Sequence, residues 1–240
     1  MRLPMGRRVF FLIIFLIALL VSIPMRFGLG FLGFDDRGLT AREARGSIWS
    51  GLLLDARYGD AGLGHLDAGL GFFPLFAGRA RVSVASRLAD GQEMQGLRAA
   101  LTIAGSEAGL DDATVAVAAG QLLAPLPVSL MTLEDVSIHF ANGLCQDASG
   151  LVRAELGGSM GDVIAARTLV GNAQCAEDAL LLPLASDGGM ERLDVRIGAD
   201  GDYIADLSVR AEDDAARERL ARAGFQPGAN GYTMRVQGSF

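Results

Sequence analysis

The sequence has no lysine, only two cysteines and two histidines, and a single tryptophan in 240 residues. Every basic residue is arginine, a bias of the kind that genomic base composition produces, so it carries no functional argument. The histidines, His65 and His139, sit in no sequence-local cluster of Cys, His or carboxylate at ligand spacing, which speaks against a metal site. The glycine patterns of the phosphate-binding loop and of the dinucleotide fold are both missing. So is G-x-S-x-G, the strained turn that presents a nucleophilic serine. Asp200-Gly201-Asp202 lacks the closing glutamate of a calcium loop and reads as a tight turn between two strands. The sequence thus points away from an enzyme and implies no cofactor.

Acid is missing from the first 34 residues, which hold Arg2, Arg7 and Arg8 ahead of the run VFFLIIFLIALLVSIPM, Val9–Met25. As a helix, 17 residues span roughly 25 Å, the short end of a membrane crossing. A cleaved secretory leader is the rival reading, but no small-x-small cleavage site follows the run. The expectation is an uncleaved signal anchor with a cytoplasmic N-terminus at 1–8, a transmembrane helix at 9–25 and the remaining residues, 26–240, outside the cytoplasm. Leaving out the three arginines before Val9, 18 arginines face 28 acids, a formal charge of −10. A body this acidic is a poor partner for nucleic acid.

Glycine is spread through the chain, 32 in all, and no long linker interrupts it. Short alternating segments follow one another: 39–47, 50–58, 61–71, 79–88, 94–104, 113–118, 129–140, 150–156, 179–183, 192–197, 203–210 and 232–237. FFPLFAG at 72–78 reads as a compact turn or one helical turn. GQLLAPLP at 120–127 reads as a corner with Leu122 and Leu123 plugging the core. AEDDAARERLARA, 211–223, has acids first, arginines later and Gly224 behind it, as a helix requires, with Leu220 as a thin apolar face. Residues 157–178 are ambiguous. The fold class expected is mainly β: one membrane helix, then an extended, curved antiparallel sheet with one or two short helices.

The acid pairs Asp35-Asp36, Asp111-Asp112 and Asp213-Asp214 read as solvating charges in loops or at a helix start. His65 and Asp67 share a face of one strand, without a nucleophile to make them a catalytic pair. Cys145 and Cys175 are an even pair in an exported chain, open to a disulfide or to two free thiols. Trp49, in ARGSIWSG, has three readings: a packing anchor under the first turn, a ring in the membrane-interface belt, or a partner contact.

Several of these segments, taken in order, resemble the type II secretion system protein N family (general secretion pathway protein N). They are the N-terminal span; Gly46, Ser47, Ile48, Trp49 and Gly51; PLFAGRARVSV from Pro74; QLLAPLPVSLMTLEDVSIHF from Gln121; and ERLARAGFQPGANGYTMRVQGSF from Glu218. The resemblance covers nearly the whole chain, least well at 59–71. It implies a non-enzymatic accessory component of the inner membrane, acting with other type II secretion components in the export of folded proteins across the outer membrane. It also implies a disulfide between Cys145 and Cys175, since some relatives carry that pair, and a structural role for Trp49, Gly46 and Gly51. The alternative class is a periplasmic lipid carrier of the AsmA or LptC type, with an apolar groove in the sheet for a lipid ligand.

Overall fold

A computed structural model of the chain describes residues 10–11, 14–15, 18–19, 21–25, 39–58, 61–86, 96–157, 164, 166–211, 213–228 and 231–239. Residues 9, 12, 13, 16, 17 and 20 of the expected span, Val9–Met25, and the pair Asp35-Asp36 lie outside the described residues. Of the span, residues 10, 11, 14, 15, 18, 19, 21 and 25 are helical. Among the described residues no helix is long and apolar enough to cross a membrane. The rest is mainly β and antiparallel, with two short helices, in two compact units, Met1–Gly96 and Leu97–Phe240.

The first unit holds β1 (Leu39–Thr40), β2 (Glu43–Ser47), β3 (Ser50–Tyr58), β4 (Ala61–Leu70), α1 (Phe72–Phe76) and β5 (Ala80–Ser86). The strands pair in the order β1-β3-β4-β5, with β2 also on β3. Leu53 stands opposite Leu66, each 2% exposed, and with Ala56, Ala68 and Met25 they form the core of this unit. Burying the two leucines contributes roughly 1.5–3 kcal/mol apiece.

The second unit is a meander: β6 (Arg98–Ala104), β7 (Glu107–Ala118), β8 (Val128–Ala141), β9 (Leu144–Leu156), β10 (Thr168–Asn172), β12 (Ala179–Ala185), β13 (Glu191–Ile197), β14 (Asp202–Val209) and β16 (Gly231–Ser239). β11 (Gln174–Ala176) pairs with β12, and β15 (Gln226–Gly228) with β16. Alternation decides which side is buried. On β14, Tyr203, Ala205, Leu207 and Val209 turn inward while Asp202 and Ile204 face water. Leu184, Leu193 and Leu207 are completely buried.

Two connections close over this core. The 120–127 corner inserts Leu123 and Leu126, and the Tyr203 hydroxyl donates to the Leu122 carbonyl. The expectation for Leu122 needs correcting: its carbonyl is held there, but its side chain is 41% exposed. α2 (Asp214–Arg222) is capped by Asp213, whose carboxylate accepts from the Ala216 N–H at 2.6 Å, and it stops at Gly224, where φ is +96°. Leu220 is its single buried residue and joins Phe225 in the core.

Three strand irregularities share one chemistry. Asp55, Asp112 and Asp135 all take left-handed backbone angles, φ near +50°, at β-bulges. Aspartate tolerates this region better than most side chains. Each is followed by a residue buried almost completely, Ala56, Ala113 and Val136. The bulge resets the alternation so that the next side chain points inward. Asp111 and Asp112 are therefore not loop charges, as the sequence suggests, but lie inside β7.

Candidate interaction site

The two-residue turn Ile48-Trp49 joins β2 to β3, with Ser47 opposite Ser50 and Gly46 opposite Gly51. Both glycines are required by close approach. Gly46 has φ +89°, and a Cβ there would lie 2.6 Å from the Ser50 carbonyl oxygen. A Cβ on Gly51 would lie 3.0 Å from the Cγ of Met25, which fills the space. Glu43 and Arg45 form a two-pronged ion pair at 2.7 and 3.1 Å on the same hairpin. The guanidinium holds the Glu43 carboxyl below its usual range.

The end of the apolar N-terminal segment is tied to this turn. The Ile48 N–H donates to the Ile23 carbonyl at 3.1 Å, Pro24 bridges to Ser47, and Met25 is 7% exposed. On the other side the Leu70 N–H donates to the Ile48 carbonyl at 2.8 Å. A Cβ on Gly69 would meet the Trp49 carbonyl oxygen at 2.6 Å, so glycine lets β4 pass under the turn.

Directly after β4 comes α1. Pro74 sits in its first turn, where a missing N–H costs nothing. Gly78, with φ +70°, ends it, and the Gly71 N–H closes the loop on the Arg81 carbonyl at 2.7 Å. The Trp49 ring packs edge-on against Phe72, centroids 5.3 Å apart, and Phe72 packs in the same manner against Phe76 at 5.0 Å. Phe73 and Phe76 remain 83% and 79% exposed. Trp49 is half-buried and braces an aromatic knob, an arrangement the sequence reading did not foresee. The signal was there in FFPLF, three phenylalanines in five residues with no polar atom.

In the second unit Cys145 and Cys175 form a disulfide, Cα atoms 5.5 Å apart, joining the start of β9 to β11. Beside it the Cys145 N–H donates to the Asp178 carbonyl, and Arg196 pairs with Glu177 at 2.7 Å and with Asp178 at 3.1 Å. The guanidinium lowers the Asp178 pKa below its ordinary value.

The histidines separate. His65 accepts a 3.4 Å bond from the Asp55 N–H at the first bulge. His139 Nε2 meets Asp111 Oδ1 at 2.9 Å, and the Thr102 hydroxyl donates to Asp111 Oδ2 at 2.9 Å. The hydroxyl is aimed at the carboxylate and not at the imidazole, so the trio laces β6, β7 and β8 together; it is not in the order of a nucleophilic relay. Among the described residues no group of three or more His, Cys, Asp or Glu could hold a metal ion.

A family model, type II secretion system (T2SS), protein N, matches residues 37–235. No curated protein and no solved structure matches the chain.

Proposed function

The chain belongs to the type II secretion system protein N family, which gives it an accessory role in type II secretion, and we propose that it fills that role as a non-enzymatic scaffold. In this reading residues 9–25 seat it in the inner membrane and both β units stand in the periplasm, where they contact other components of the machine. The family match over residues 37–235, both units together, carries the proposal. The disulfide adds support, since such bonds persist in oxidising compartments.

A place for a partner exists at the edge of the second unit. β15 covers Gly231–Thr233 of β16, and among the described residues no strand pairs along the outer edge of Met234–Ser239. An added strand would take up those backbone groups. The lipid-carrier alternative needs an apolar trough open to solvent. Against it, buried apolar side chains described in the second unit form one packed cluster that includes Leu123, Leu126, Leu220 and Phe225.

Photo-crosslinking in intact envelopes tests the scaffold. A reactive group replaces Gln237 on the β16 edge, with Ser137 on the inner strand β8 as control. A discrete protein adduct from Gln237 alone is the expected outcome. Phospholipid adducts from both positions and no protein adduct would overturn the reading.

A further inference from the structure

Among the described residues nothing covers the exposed face of the aromatic knob. Phe73 and Phe76 are the most exposed of the described large apolar side chains, above even those of the N-terminal helix. They are carried on a braced loop: Phe72 is clamped edge-on between Trp49 and Phe76, and backbone bonds from Gly71 and Arg79 close the loop. Holding large rings in water in a fixed geometry is unfavourable unless something else covers them.

Three observations point to one occupant. The turn that braces the knob through Trp49 also holds Ile23, Pro24 and Met25, the end of the apolar segment. The described helical residues just before it, Phe10, Phe11, Ile14, Phe15, Leu19 and Val21, all expose their side chains, which is how a helix made for lipid looks. The charge pattern agrees. In a chain with 28 acids there is none from Met1 to Phe34, none from Ala44 to Leu54 and none from Ala68 to Ala89. The exposed Arg79 follows the knob by three residues. An acid-free corner carrying Trp, Phe and Arg fits an anionic lipid interface, where rings settle at headgroup depth and guanidinium groups meet phosphate.

We propose that α1, braced by Trp49, is a membrane-interface foot: Phe73 and Phe76 enter the headgroup region of the bilayer in which residues 9–25 are anchored, with Arg79 at the phosphates. The foot sets how the first unit stands on the membrane, which a lone helix, free to swivel, does not. This inference rests on the anchor reading, and the experiment separates the two.

The full chain carrying Trp49→Phe and Phe76→Trp has one tryptophan, on the knob. It is reconstituted in phosphatidylcholine–phosphatidylglycerol vesicles whose acyl chains are brominated either near the headgroup or near the methyl end. The expected result is emission reduced about twofold by the shallow bromines and less by the deep ones, as for a ring at the interface. In a second variant Trp49 is kept and Phe73→Asp/Phe76→Asp is added, and quenching of Trp49 by shallow bromines falls. A chain that floats with vesicles and keeps its disulfide, but whose knob tryptophan is unquenched at both depths, overturns the foot and leaves the anchor. A chain that does not float with vesicles overturns both. A knob emission that shifts to the blue with protein concentration, and not with bromolipid, assigns the patch to a second copy of the chain and also overturns the proposal.

Discussion

Met25 occupies the space that a side chain on Gly51 would take, with its Cγ 3.0 Å from where that Cβ would lie. The Arg45 carbonyl oxygen, also at 3.0 Å, closes the other side. Gly51→Ala therefore pushes Met25 out of its seat, and the expected cost is about 1–3 kcal/mol of overpacking. Gly46→Ala costs more, because φ +89° and the Ser50 carbonyl oxygen at 2.6 Å leave only backbone to move. Thermal unfolding followed by Trp49 emission measures both. Variants as stable as the parent would show that the turn does not hold the N-terminal segment.

The Cys145–Cys175 bond closes a stretch of 30 residues. Constraint of the unfolded chain by a loop that long is worth about 3–4 kcal/mol. Replacing both cysteines by alanine is expected to lower the unfolding midpoint of the second unit and leave the first unit's Trp49 signal in place. Alkylation before reduction checks the bond directly: two modified thiols in the unreduced protein would rule it out.

The places where the sequence misled are informative. Most strands were legible from alternation, and the 211–223 helix from its acid-to-arginine order. The bulges were not. LLLDA and LEDVS read as parts of unbroken strands, 50–58 and 129–140, and in LDDAT the strand reads as starting only at Ala113, although β7 runs from Glu107 to Ala118. The backbone turns left-handed at Asp112, and Ala113 comes back to the core at 1% exposure. Residues 157–178 hid β10 and β11 because these strands are short, five and three residues, and owe their pairing to the flanking β9 and β12. The aromatic knob was half-legible: its composition was plain, but its clamp depends on Trp49 in a turn and Phe72 in a helix, distant in sequence, meeting in space.

His139 lies across Gly109, its register partner on β7, so closely that a Cβ on Gly109 would overlap the imidazole. Gly109→Ala must rotate His139 away and break its bond to Asp111, with an expected loss of about 1–3 kcal/mol. In a His139→Ala background the obstacle is gone, and the same substitution is expected to cost about 1 kcal/mol less. Chemical denaturation of the four proteins gives the coupling. Strict additivity would mean that the ring is not held over the glycine.

Asp178 gives the second unit a defined response to acid. Arg196 depresses its folded-state pKa, first through the side-chain hydrogen bond and then through charge. A depressed carboxyl contributes stability that is present above its unfolded pKa, about 3.9, and is lost as pH falls through the lower folded value. At neutral pH the contribution is complete, and between neutrality and about pH 5 it is flat. Asp178→Asn removes the charge at every pH. The difference in unfolding midpoint between parent and variant is therefore expected to be constant from pH 7 to about pH 5 and to shrink below about pH 4. The group is exposed, so the difference is small and falls further at high salt. A gap that widens on acidification would mean that the carboxylate is destabilising in the folded protein, and that the Arg196 contact does not govern it.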